Sequence, residues 1–282
     1  MKDIYQSIAE KRSAMSKSHL KVANYILENR STSPFFTVGK MAEQSGVSDA
    51  TVFRFATALG LSGYNELQQH MQNSMQNQLT AQERMKMSNE IYHMEDRKGV
   101  YEIFQDDIAN IQSSFEKLDM ASFEKSVQMI LEARKIYIVA NRSARSLAIF
   151  FHYYLHLILE DVELISTTDE AAEKFLNTTA QDVVIGLSFS RYSKKTIDIF
   201  SLAKEKNIQT IAITDNSFSP LLPYADTGLT VSTQMPSFID SFTAPLSLIN
   251  ALINYVGRAK KDELTERLEQ LEETWEKFDT FY

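Results

Sequence analysis

The sequence predicts two structural classes in one chain of 282 residues: an all-α N-terminal part, joined by further helices to a three-layer α/β domain built on a parallel sheet. Up to about residue 130 the apolar residues recur at helical spacing, whereas beyond 134 short β-rich runs alternate with helical stretches. Charge divides the chain in the same way. Residues 1–72 hold eight basic and six acidic side chains, and the remainder holds 21 basic and 31 acidic. The formal total of −8 is thus an average over a slightly basic segment and an acidic one, and only the local value bears on nucleic acid.

Composition removes several kinds of chemistry. Without cysteine there is no disulfide, thiolate-bound zinc, iron–sulfur cluster or cysteine nucleophile, and a reducing cytoplasm is the expected setting. The eight glycines, at 39, 46, 60, 63, 99, 186, 228 and 257, cannot spell G-x-G-x-x-G or a Walker A loop. Residues 1–18 lack the apolar core of a secretory signal. The longest apolar run, 147–159, is short for a bilayer and carries His152 and His156, so no membrane contact is expected.

Taken in order, Ser16 or Ser18 can cap a helix whose Leu20, Ala23, Ile26 and Leu27 share a face, ending near Asn29 before a Ser-Thr-Ser-Pro loop. Two shorter helices are expected over 38–44 and 48–59, then a break at Gly60 and Gly63, then a helix through Tyr64, Leu67 and Met71. Within 38–57, Ala42, Gly46 and Val52 stand at offsets zero, four and ten. A helix-turn-helix needs that pattern: a small residue where helices cross, a glycine reversing the chain at positive φ, and a β-branched residue locking the second helix. Met41, Val47 and Phe55 complete the core, and Ser48 is placed to cap the second helix. Asp49, Ala50, Thr51, Phe53 and Arg54 would then face outward. A plain helical hairpin would explain the same Ala and Gly by packing alone. The local positive charge, with Lys17 and Lys21 on the preceding helix, favours a recognition helix for the major groove.

Residues 37–71, TVGKMAEQSGVSDATVFRFATALGLSGYNELQQHM, resemble the N-terminal domain of the RpiR (MurR/RpiR) family of bacterial transcriptional regulators, above all in V-S-x-A-T-V-x-R-F-x-x-x-L-G at 47–60. The resemblance implies double-stranded operator DNA as partner, with Lys40, Ser48, Asp49, Thr51, Phe53 and Arg54 as the contacting residues.

From 73 to 130 the chain is polar and rich in Gln, Asn and Met, then periodic through Ile103, Ile108, Ile111, Phe115 and Leu118. A helical connector packed along that stripe is expected. Strands are expected at 136–140, 162–166, 183–188, 208–214 and 228–232, and their alternation with helices is the sign of βαβ units. The last segment, 261–278, reads as an amphipathic helix with Leu264, Leu268, Leu271 and Trp275 on one stripe, docked on its own domain or on a partner. The expected divisions are 1–76, 77–124, 125–258 and 259–282.

Ligands of a parallel sheet sit at the carboxyl ends of its strands. Two such loops are rich in hydroxyls and positive charge: Asn141, Arg142, Ser143, Ala144, Arg145, Ser146 after the first strand, and 188–196 after the third. Helix-start N–H groups, short hydroxyls and arginines together bind phosphate or carboxylate; alternatively the serines only cap helices and Lys194 and Lys195 are solvated. The stretch 125–258 resembles a sugar isomerase (SIS) domain, and DVVIGLSFSRYSKKT at 182–196 resembles its phosphate loop S-x-S-G-x-T. That resemblance implies a small anionic sugar-like effector held by Arg142, Ser143, Ser188, Ser190, Arg191, Ser193 and Thr196. The chain departs from the motif where Arg191 replaces glycine and where the usually glycine-rich first loop reads ANRSARS.

An isomerase would need a placed base. His152, His156, Glu170, Glu173 and Asp240 are available, but none has distinctive spacing, and Tyr153 stands where H-E-x-x-H requires glutamate. The expectation is a regulator, more as repressor than activator, with no catalytic residue, metal or cofactor, assembled as a homodimer or tetramer. The alternatives are a sugar-phosphate isomerase with an appended helical domain, and a scaffold whose α/β domain only dimerises.

Overall fold

The computed structural model describes residues 4–30, 32–78, 80–92 and 98–281. Contacts gather into two compact units, Met1–Ile103 with Gln234–Asp240, and Phe104–Thr233 with Ser241–Tyr282.

The first unit holds α1 (Ile4–Lys11), α2 (Lys17–Glu28), α3 (Val38–Ser45), α4 (Asp49–Ala58), α5 (Tyr64–Gln78) and α6 (Ala81–Ile91). Helix α1 was not among the expected elements; its Ile4, Tyr5 and Ile8 are buried in the helical core. Ser16, of the two serines considered, caps α2 by accepting the His19 N–H, and Thr37 caps α3 through the Lys40 N–H. Gly46 ends α3 at φ +64, the left-handed conformation the motif required of it, and Val47 N–H donates to Ala42 O at 3.0 Å. Ser48 stands at the N-cap of α4 but does not cap it; its hydroxyl pairs at 3.0 Å with that of Thr51. Met41, Ala42, Val52 and Phe55 are buried with Val22, Ala23 and Ile26 of α2. Helix α5 is fixed by donors reaching back over the connecting loop, Tyr64 OH and Gln68 Nε2 to Phe36 O, and Gln72 Nε2 to Pro34 O. Helix α6 opens on a capping box between Thr80 and Glu83.

The chain passes through α7 (Lys98–Glu116) and α8 (Met120–Glu132) into the sheet: β1 (Lys135–Ala140), α9 (Ala144–Ile158), β2 (Val162–Ile165), α10 (Thr168–Lys174), β3 (Asp182–Leu187), α11 (Lys194–Glu205), β4 (Gln209–Thr214), β5 (Thr227–Thr230), α12 (Thr243–Ala259) and α13 (Lys261–Lys277). All five strands are parallel, in the order β2-β1-β3-β4-β5. Alternate side chains feed separate cores. Ile136, Ile138, Ile185 and Leu187 join α8, α9 and α12 on one face, while Tyr137, Val139 and Val184 join α10 and α11 on the other. Such two-faced burial explains why the strands read as continuous apolar runs. Gly186 lets α11 close on the sheet, since a Cβ there would lie 2.8 Å from the ring of buried Phe200.

One expectation fails in part on α7. Of the predicted packing stripe, Ile108, Ile111 and Phe115 are exposed, Phe115 by 79%, with Phe104 beside them, while Ile103 is half-buried and Leu118 packs against the α/β core. The helix turns its polar face to the α/β unit instead. Asn110 is buried, its Oδ1 accepts the Ser232 hydroxyl at 2.6 Å, and the Ser114 hydroxyl accepts the Ser232 N–H at 2.8 Å. Periodicity located the apolar stripe but could not say whether its own chain covers it. Helix α13 has no buried residue; Leu264 packs beside Gly257, and Leu268 lies open. No helix among the described residues is long and apolar enough to cross a membrane.

Candidate nucleic-acid interface and effector loops

Helix α4 presents Ser48, Asp49, Ala50 and Arg54 at the surface, with Thr51 half-buried among them. Arg54 folds back, its Nε donating to Ala50 O at 3.2 Å, so the guanidinium is carried along the helix rather than across the domain. Lys40 lies exposed on α3 and pairs with Glu43 at 3.3 Å. Phe53 is half exposed, but its ring covers Gly63, where a Cβ would meet it at 2.7 Å. Phe53 therefore packs the turn before α5 with one face and shows the other to solvent. Lys21, from α2, reaches Gly46 O at 3.5 Å and adds positive charge beside the turn. Glycine reversal, buried β-branched lock and exposed second helix are the geometry by which such a motif enters a groove.

In the α/β unit, the strand order reverses direction between β1 and β3, which are hydrogen-bonded neighbours whose connections leave to opposite sides. The crevice outside that switch point is where open parallel sheets bind ligands. Both basic loops sit there, one after β1 and one after β3. Asn141 Nδ2 joins them by donating to Thr196 Oγ1 at 3.1 Å. Arg142 has φ 58 and Arg191 φ 61, and with Asn207 and Asp279 they are the only non-glycine residues at positive φ among those described. Each arginine thus holds the left-handed backbone at the turn of its loop, at a cost of roughly 1–2 kcal/mol for a residue with a Cβ. For Arg191 this explains the missing motif glycine: the backbone is that of glycine, while a cation has been added.

The serines of the second loop are already engaged. Ser188, buried, accepts the Ser193 N–H at 3.3 Å, and its carbonyl accepts the Thr214 hydroxyl. Ser190 Oγ donates to Asp215 Oδ2 at 2.5 Å and Tyr192 OH to Asp215 Oδ1 at 2.6 Å, while Asn216 Nδ2 donates to the Tyr192 oxygen at 2.8 Å. Sequence reasoning missed Asp215, although its place directly after β4 was a usable signal. Burial pushes its carboxyl above the ordinary range, against the opposing hydrogen bonds from Ser190 and Tyr192, and burial likewise raises the Tyr192 phenol. Arg145 donates to Ser166 Oγ across to the end of β2. Ser143 is exposed at the start of α9.

The residues considered for proton transfer do not gather. His152 pairs with Val162 O and stacks on His156, Glu170 pairs with Lys174, and Asp240 pairs with Arg84. No group of three metal-ligating side chains occurs among the described residues.

Comparison with known proteins bears on the two domains that carry these candidate sites. Residues 2–78 match the helix-turn-helix domain of the rpiR family, and residues 129–255 match the SIS domain. An uncharacterized HTH-type transcriptional regulator of Caldanaerobacter subterraneus subsp. tengcongensis is 27% identical over 97% of each chain. The HTH-type transcriptional regulator HexR of Pseudomonas aeruginosa is 23% identical, covering 76% of this chain and 74% of its own. Among solved structures, Vibrio vulnificus NanR complexed with ManNAc-6P aligns with a TM-score of 0.58 at 19% identity, over 98% of both chains. The sugar isomerase domain of an RpiR transcription factor from Sphaerobacter thermophilus aligns at 0.59, with 21% identity, over 61% of this chain and 97% of that one. The matched relatives are named as HTH-type transcriptional regulators, and this protein is a regulator of transcription with a helix-turn-helix and a SIS domain. A helix-turn-helix domain of the rpiR family at the N-terminus and a SIS domain behind it thus place the chain in the rpiR family of helix-turn-helix transcriptional regulators.

Proposed function

We propose that the chain is a cytoplasmic repressor that binds operator DNA through α4 and is controlled by a small anionic sugar derivative, a sugar phosphate or sugar acid, held at the β1/β3 switch point. The observation that carries the reading is the pair of arginines in left-handed backbone at that crevice. Backbone strain tolerated twice at one site, each time to display a cation, has its simplest account in an anion bound there. The NanR neighbour, described with ManNAc-6P, supports a ligand of this class. Arg142, Ser143, Arg191 and Ser193 would meet the anion at the rim, over a floor of Ser188, Ser190 and Thr196. Lys40, Ser48, Asp49, Thr51, Phe53 and Arg54 would border the DNA, with Thr51 and Arg54 nearest the bases.

The functional divisions we propose are a reader (1–76), a connector (77–124), a sensor (125–258) and a C-terminal helix (259–282). The inverted α7, polar side inward and apolar side outward, supports self-association, because a water-facing stripe of Phe104, Ile108, Ile111 and Phe115 is stabilised by a second copy. A dimer or tetramer presents two α4 helices to a pseudo-palindrome. Differential affinity of the effector for two arrangements of the chain would supply control.

A thermal-shift screen of phosphorylated sugars, amino sugars and sugar acids tests the reading, with Arg142→Ala as control. A ligand that raises the wild-type transition and not that of the variant is the expected result. Equal shifts in both would place the ligand elsewhere.

A further inference from the structure

Among its described side chains, helix α6 is held to its surroundings by polar ones. Arg84 and Ser88 are its buried residues among those described, while Met85 is exposed. Arg84, 2% exposed, donates from Nε to Ser237 O at 2.7 Å, and from Nη2 to Ile239 O at 2.8 Å and to Asp240 Oδ1 at 2.7 Å. These acceptors lie more than 150 positions along the chain, in Gln234–Asp240, the excursion between β5 and α12 that groups with the first unit. The neck of the excursion is closed within the second unit. Ser241 N–H donates to Thr233 O at 3.2 Å, and the Ser241 hydroxyl donates to Asp107 at 2.5 Å. In a parallel sheet the residues after β5 emerge at the carboxyl ends of the strands, the end that carries the two arginine loops.

A guanidinium presents its donors in a rigid plane, so three acceptors spread over four residues converge on it in one loop conformation only. Any other conformation leaves a buried charge or carbonyl unpaired, which makes the fastening close to all-or-none. An apolar anchor would tolerate sliding; this one reads shape. We infer that Arg84 is the positioning residue through which the state of the effector loops reaches the DNA reader, with the 234–240 excursion as the moving part and α6 as the receiver. The inference rests on the proposed effector control of operator binding.

Amide hydrogen exchange on the full-length chain tests it. Without ligand, Arg84→Met is expected to raise exchange in 235–240 and in α6 at least about tenfold while leaving α3 and α4 unchanged. Arg84→Lys, which offers a point charge for part of the acceptor set, and Asp240→Asn should lie between, and they keep the test alive should Arg84→Met fold poorly. Unchanged exchange in 235–240 for all three variants overturns the clamp. With saturating inorganic phosphate, the wild type should gain protection at 188–196 and change exchange in α6, and Arg84→Met should keep the first effect and lose the second. An α6 response that survives in Arg84→Met overturns the inference. Should phosphate fail to protect 188–196 in the wild type, the effector site is what has failed. A duplex selected by the wild type from a random pool then serves as perturbant. By reciprocity of coupling it must alter exchange in 235–240 in the wild type and not in Arg84→Met; the same response in both overturns the inference.

Discussion

Replacing Arg142 by glycine should stabilise the fold and weaken the effector site at once. At φ 58 the arginine carries a left-handed backbone cost of roughly 1–2 kcal/mol, which glycine does not pay. Against this, glycine frees the unfolded chain by about 0.4–1 kcal/mol. The net gain is on the order of 0.5–1 kcal/mol, or ~1–4 °C in transition temperature for a unit of this size. Arg191→Gly, at φ 61, should follow the same arithmetic, less whatever its side chain contributes. Alanine separates backbone from side chain, since it keeps the strain and removes the charge: Arg142→Ala should show no gain in stability but the same loss of anion affinity. Differential scanning calorimetry, with and without ligand, measures both effects. Destabilisation by Arg142→Gly of more than about 1 kcal/mol, or equal stabilisation by alanine and glycine, would refute the strain argument.

Other substitutions probe the reader and the scaffold. Phe200→Ala empties a fully buried site against the sheet and should cost about 3–5 kcal/mol by chemical denaturation. Gly186→Ala forces a methyl to within 2.8 Å of that ring and should cost about 1–3 kcal/mol. Arg54→Ala should weaken operator binding by about 1–3 kcal/mol in an anisotropy titration without lowering the transition temperature. The Ser62 N–H and hydroxyl hold the Glu66 carboxylate below its ordinary value, against partial burial. A depressed carboxylate stabilises above its unfolded pKa and loses that contribution as pH falls through the folded one, so the first unit should weaken in acid and Glu66→Gln should flatten the loss.

What was legible in the sequence was whatever repeats locally. The helix-turn-helix could be read because Ala42, Gly46 and Val52 each answer a demand of the turn itself, and the structure meets it with Gly46 in left-handed backbone. Each strand lay within two residues of its expected bounds, because both faces of the sheet are buried and the apolar runs are unbroken. Periodicity was silent about partners. It identified the α7 stripe but not that most of it stays open, because a helix with two usable faces does not state which one its own chain covers. Arg84 and Asp240 are more than 150 residues apart, and nothing near either position signals the other. At the effector loops the basic and hydroxyl residues could be read, and their placement at a strand-order reversal required the topology. The engagement of Ser190 by Asp215 required the fold as well.

The central claim is that an anion at the β1/β3 switch point controls operator binding. The most direct measurement is operator affinity of the full-length chain, with and without the best ligand from the thermal-shift screen, for the wild type and for the Arg142→Ala/Arg191→Ala double variant. The account predicts equal affinities without ligand, and a ligand-induced change of about fivefold or more in the wild type alone. An undiminished ligand response in the double variant would contradict it.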